Sequence, residues 1–189
     1  MPLNIPNLLT WFRIMLIPVF LGVFYLPDTI LSLHHKHLVS TVIFALAALT
    51  DWLDGYLARA LNQTSAFGAF LDPVADKLMV AAALIVLVKL GYVDMVIAFI
   101  IIGREIAISA LREWMAQLGE SKSTAVSMLG KVKTVFQMSA ILLLLCHESL
   151  VGLPANTLGT LLIYLAAILT LWSMIYYLKL ALPQIARNK

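Results

Sequence analysis

Four of the ten acidic side chains of this 189-residue chain lie between positions 51 and 76, with strongly apolar sequence on either side. Asp51 and Asp54 are three residues apart, Asp72 and Asp76 four apart. On helices, each spacing puts both carboxylates of a pair on one face. The seventeen residues from Gly55 to Leu71 can contain a turn, with Gly68 and Pro73 as punctuation for a second helix. A fold-back there would bring the two pairs together. Four carboxylates meeting in a poorly hydrated place repel one another unless cations sit among them. Hard oxygen donors of this kind suit Mg2+ or Mn2+. Taken singly, Asp72 ahead of Pro73, or Asp54 at a helix end, would pass for a cap. As a set they do not, because Asp51 and Asp54 stand at the C-terminal end of their apolar segment, where the helix dipole disfavours negative charge.

The elements that position them follow from composition. The chain is 62% hydrophobic and 12% charged, against roughly 25% charged in soluble domains, so it cannot cover its surface with polar groups and belongs in a bilayer. Apolar stretches run over 8–26, 38–58, 74–88, 93–116, 132–146 and 158–182. Most approach the ~20 residues a spanning helix needs, and they are too long and continuous for barrel strands. The expectation is an all-α bundle of six transmembrane helices, forming a single domain over 1–189. The first segment lacks preceding basic residues and a small-residue cleavage site, so it is expected to stay attached. Cys146 is the sole cysteine, which excludes an intrachain disulfide and a cysteine-built metal site.

If six helices alternate, one side collects Arg13, Arg59, Lys77, Arg112, Lys122, Lys131, Lys133, Lys179, Arg187 and Lys189, and the other only Lys36 and Lys89. Basic residues mark the cytoplasmic face, so both termini and the aspartate cluster are expected there.

The stretch Asp51-x-x-Asp54-Gly55-x-x-Ala58-Arg59, eight residues, then Gly68-x-x-x-Asp72-x-x-x-Asp76 resembles the signature of the CDP-alcohol phosphotransferases. The resemblance implies that Asp51, Asp54, Asp72 and Asp76 hold two divalent cations, Mg2+ or Mn2+, that grip the diphosphate of a CDP-linked lipid. It implies that Asp76 is also the general base toward the acceptor hydroxyl. Gly55, Ala58 and Gly68 match positions packed close to the nucleotide, and Arg59 a phosphate-contacting arginine. "NIPNLLTWFR", "GREIAISALREW" and "GKVKT" are similar to a bacterial branch of the family that uses CDP-diacylglycerol and glycerol 3-phosphate. That likeness places Asn7, Thr10 and Arg13 near the nucleotide, and Arg104, Arg112, Lys131 and Lys133 on the acceptor phosphate. It further implies a homodimer in the bacterial cytoplasmic membrane. Arg104 and Arg112, eight residues apart, fall about 80° apart on a helix, so both can face one cavity.

Other readings stand beside these. Arg104, inside an apolar segment, is a functional candidate by its cost, or else half of a buried ion pair with Glu105. Arg13 could equally anchor at the membrane interface, and Arg112, Lys131 and Lys133 could snorkel or meet anionic lipid. Another acceptor, serine or an inositol phosphate, would use the same chemistry. A cation-coupled transporter would place its carboxylates near the midplane instead. His34, His35 and His37 are expected in a far-side loop without a metal, Pro18 is expected to kink the first helix, and the tryptophans and tyrosines read as interfacial rings.

Overall fold

The computed structural model describes residues 5–60, 66–117, 128–147 and 154–187. Among them are six α-helices and no strands: α1 (Ile5–Val23), α2 (Leu33–Ala60), α3 (Ala66–Lys89), α4 (Met95–Gln117), α5 (Met128–Cys146) and α6 (Ala155–Arg187). Long apolar sequence dictates this outcome, since a helix satisfies its backbone polar groups within one segment. Two helices carry windows long and apolar enough to cross a membrane, Leu33–Asp54 in α2 and Ala155–Leu180 in α6. Shorter apolar runs occupy Asn7–Val23 and Val132–Cys146. In α3 and α4 the apolar run is interrupted by Asp72, Asp76 and Lys77, and by Arg104, Glu105 and Arg112.

Helix α1 packs on α2 and α3, α4 on α3 and α6, and α5 on α6 and α2. Phe20, Phe44, Leu84, Leu87, Ile101, Ile141, Leu144 and Ile163 interlock in the centre. Ala47, Ala82, Ala83 and Ala98 join them and let the backbones approach, as small residues do in membrane bundles. The outside is apolar too: Met15, Ile85, Phe99, Val135, Ile168 and Trp172 are all exposed, a surface suited to hydrocarbon and not to water.

Side-chain pairings give the helix directions. Thr10 and Arg13 meet Asp72 and Asp76 in the same order along the chain, so α1 and α3 run the same way. Arg104 and Arg112 meet Ser173 and Tyr177, so α4 and α6 do as well. The ends of α2 and α4 and the beginnings of α1, α3 and α5 therefore gather at one end of the bundle.

Several boundaries differ from the hydropathy reading. Helix α3 begins at Ala66, so Gly68 and Pro73 lie within it and do not mark its start. Pro73 is the eighth residue of α3, past the first turn, so the helix forgoes the one backbone bond that its missing N–H would have made to the carbonyl four residues earlier. Helix α1 ends at Val23 and continues through Pro18. His34, His35 and His37 belong to the first turns of α2 and not to a loop. His37 braces the far end: its Nδ1 lies 3.0 Å from the Leu145 carbonyl and its Nε2 3.2 Å from the Tyr92 hydroxyl. A carbonyl only accepts, so Nδ1 carries the hydrogen and Nε2 accepts from Tyr92. The ring of His147 stacks on Tyr92 at 4.1 Å. Gly91, at φ 76°, makes the tight turn from α3 to α4 that a side chain would resist, and Asp94 Oδ1 caps α4 by accepting from the Val96 amide at 2.7 Å.

Candidate active site

Arg13 organises the aspartates. Its side chain is fully buried, 0% exposed, although it comes from a helix in which every neighbouring residue but Thr10 is apolar. Nη1 donates to Asp51 Oδ1 at 2.7 Å and to Asp76 Oδ1 at 3.4 Å, and Nη2 donates to Asp54 Oδ2. One guanidinium thus ties the end of α2 to the start of α3. Thr10, one turn earlier on the same face of α1, donates its hydroxyl hydrogen to Asp72 Oδ1. All four aspartates are gathered by two α1 side chains, so the pairs converge as the expected fold-back between α2 and α3 would bring them. A buried charge persists only when compensated, and Asp54, itself buried, meets that condition through Arg13. Asp51 and Asp76 keep 43% and 51% of their side chains exposed. Their free faces turn to a cavity.

That cavity, about 790 Å3, lies among α2, α3, α4 and α5. Asp51, Asp72 and Asp76 line it from α2 and α3, and Arg104, Arg112 and Lys133 from α4 and α5. Helix α6 sets the basic wall from behind. Arg104 Nη2 donates to Ser173 Oγ at 2.8 Å, and Arg112 Nη2 donates to the Tyr177 hydroxyl at 3.2 Å. Both guanidiniums also face the Tyr177 ring, at 5.8 and 5.2 Å, which attracts cations through its π-face. The two arginines do share a cavity, as their eight-residue spacing allows.

Glu105 does not act as the ion-pair partner of its neighbour Arg104. Its Oε1 accepts from Lys133 Nζ at 2.9 Å and from Gln137 Nε2 at 3.0 Å, joining α4 to α5. Arg104 Nε and Arg112 Nε are buried without a hydrogen-bond partner. Donors left over on a cavity wall are what an anion with several acceptor oxygens would engage.

Among the described residues, no group of three or more His, Cys, Asp or Glu side chains is arranged to hold a metal ion as it stands. The place between three of the carboxylates is taken by the Arg13 guanidinium. The donor set nevertheless fits a divalent cation: four oxygen-bearing acids, two of them partly open to a cavity, already gathered round a positive charge. Asn7 and Gly68 are buried one turn before Thr10 and Asp72. Gly55, Ala58, Arg59 and Lys131 lie outside the residues whose side chains are described.

Some participants escaped the sequence reading. Tyr177 is 0% exposed and grips two arginines, so it is not an interfacial ring. Ser173 and Gln137 were not singled out either, and Glu105 entered only as a possible ion-pair partner of Arg104. For Ser173 and Gln137 there was a signal, a polar residue deep inside an apolar run. Tyr177 had none, because it stands among the aromatic residues of a helix end.

A model of the family described as CDP-alcohol phosphatidyltransferase matches residues 3–172. The chain is 50% identical over 191 residues to the CDP-diacylglycerol--glycerol-3-phosphate 3-phosphatidyltransferase of Haemophilus influenzae, covering 100% of this chain and 98% of that one. It is 50% identical over 183 residues to the proteins of that name from Salmonella typhimurium and Escherichia coli K12, covering 96% of each chain.

Proposed function

The chain belongs to the CDP-alcohol phosphatidyltransferase family, and from that premise we propose that it transfers the phosphatidyl group of CDP-diacylglycerol to glycerol 3-phosphate. The products are phosphatidylglycerophosphate and CMP. One observation carries this reading: a single cavity is lined by aspartates of α2 and α3 and by two arginines and a lysine of α4 and α5. An activated diphosphate and a phosphorylated alcohol need opposite chemistry from the protein, and both kinds of wall are present.

Asp51, Asp54, Asp72 and Asp76 would hold two divalent cations, Mg2+ or Mn2+, which when bound neutralise charge on the diphosphate oxygens. Asp76 makes the longest of the three Arg13 contacts and lines the cavity, so its carboxylate is less committed to Arg13 than those of Asp51 and Asp54 and can receive a proton. An acceptor hydroxyl gives its proton to an Asp76 carboxylate oxygen and its oxygen bonds to the lipid-side phosphorus. The bond from that phosphorus to the CMP oxygen breaks, and CMP leaves with the electron pair. Arg104, Arg112 and Lys133, with Lys131, hold the acceptor's own phosphate so that the hydroxyl is presented to Asp76. Gly55, Ala58, Arg59, Gly68, Asn7, Thr10 and Arg13 form the nucleotide side in this reading.

The same reading places residues 1–189 as one domain of six spanning helices in the bacterial cytoplasmic membrane, both termini and the cavity mouth facing the cytoplasm, with a homodimer as the assembly. The charge asymmetry between the two ends supports the orientation.

Purified protein given labelled CDP-diacylglycerol, glycerol 3-phosphate and Mg2+ or Mn2+ is expected to release CMP and form the lipid product. No CMP release with any divalent cation overturns the reading. Arg112→Ala is expected to raise the KM for glycerol 3-phosphate roughly tenfold or more, the scale of a hydrogen bond to a charged group, while sparing that for CDP-diacylglycerol. An unchanged acceptor KM in Arg104, Arg112 and Lys133 variants alike removes the acceptor assignment.

A further inference from the structure

Gln137 is only 2% exposed, lies on α5 one turn after Lys133, and lines the same cavity as Asp76, Arg104 and Arg112. Its Nε2 donates to Glu105 Oε1 at 3.0 Å. A carboxylate only accepts, so the amide orientation is settled: nitrogen toward Glu105, carbonyl oxygen the other way. That Oε1 is buried and has no hydrogen-bond partner. An orphaned buried acceptor is costly and requires an explanation.

Its chemistry differs from that of its surroundings. Arg104, Arg112 and Lys133 are all donors, the complement of phosphate oxygens. Gln137 Oε1 is an acceptor, which phosphate oxygens cannot satisfy. It requires an O–H. Under the function proposed above, on which this step rests, the acceptor brings two hydroxyls: one attacks phosphorus, and the other, on the carbon next to the phosphate-bearing one, is spare. We propose that Gln137 Oε1 accepts a hydrogen bond from this spare hydroxyl, making Gln137 a specificity-determining residue for polyol phosphates. Glu105 then has two tasks, holding Lys133 toward the phosphate and aiming the Gln137 carbonyl. A site built to bond a substrate hydroxyl rejects an analogue lacking it far more strongly than an apolar pocket can, because the protein's buried group stays unpaired.

The test compares glycerol 3-phosphate with 3-hydroxypropyl phosphate, which lacks only the spare hydroxyl, as acceptors for the full-length protein with CDP-diacylglycerol and Mg2+. Wild-type kcat/KM is expected to favour glycerol 3-phosphate by about tenfold or more. In Gln137→Met, similar in volume and without the carbonyl, the ratio is expected to fall near one. If Gln137 matters only through Glu105 and Lys133, both acceptors lose equally and the wild-type ratio survives; that result overturns the inference. So does a wild-type protein that uses both acceptors equally well, a comparison that needs no variant to fold. Absence of any lipid product from wild type with glycerol 3-phosphate overturns the underlying reading, and this inference with it, whereas product without hydroxyl preference overturns this inference alone.

Discussion

Arg13 carries an unusual load for one side chain, since three carboxylates from two helices depend on it. Removing one partner of a buried charge pair costs about 3–5 kcal/mol, because the other charge is left uncompensated. Arg13→Ala is therefore expected to lower the melting temperature markedly in EDTA. Added Mg2+ or Mn2+ is expected to recover part of the loss if the aspartates accept divalent ions. No recovery with either ion counts against the metal assignment of Asp51, Asp54, Asp72 and Asp76. Asp76 is different, since its contact with Arg13 is long and half its side chain is open. Asp76→Asn is expected to reduce turnover by about 10²- to 10⁴-fold, the range for a general base, with little change in melting temperature. A variant retaining most of its rate would take the base role from this residue. The sequence presented all four aspartates by their spacing. Arg13 as the hub was not readable there, because an arginine one helix away has no positional signature linking it to residues 38 to 63 positions later.

At the scale of helices, the close contact between α5 and α6 rests on Gly159. A Cβ built there would lie 2.8 Å from Leu144 Cγ and 3.2 Å from Leu143 Cβ. Leu144 is fully buried, so relief requires the helices to separate. Gly159→Ala is expected to destabilise by about 1–3 kcal/mol, the usual range for overpacking, read as a lower melting temperature in detergent. Gly103→Ala serves as control: nothing lies within 4 Å of a Cβ there, so no loss is expected. A Gly159→Ala variant as stable as wild type would mean that α5 and α6 are not held this closely. Hydropathy located all six helices but misplaced several ends. Where charged residues interrupt an apolar run, as in α3, the run understates the helix, because backbone hydrogen bonding continues through polar side chains while hydropathy does not.

For the whole molecule, the alternation of helices puts the site at one end and the His37–Tyr92–His147 stack at the other. In a Cys146→Ser background, a cysteine replacing exposed Ala116 and one replacing exposed Tyr25 are expected to react with an impermeant thiol reagent from opposite faces of a sealed membrane, the former from the cytoplasmic side. Labelling of both from one side would overturn the six-span arrangement. The cavity itself is a property of this level, since its acidic and basic parts come from four helices and its arginines are set by a fifth, α6.

The amino-acid sequence by itself determined the helices, the shared face of each aspartate pair and the family, since apolar length and carboxylate spacing are local quantities carried along the chain. Only the tertiary structure decided which cation sits among the carboxylates, that Glu105 pairs with Lys133 and not with Arg104, and that Tyr177 and Ser173 aim the arginines. Those choices depend on which helix faces are pressed together, and packing complementarity between segments distant in sequence leaves no periodicity to read.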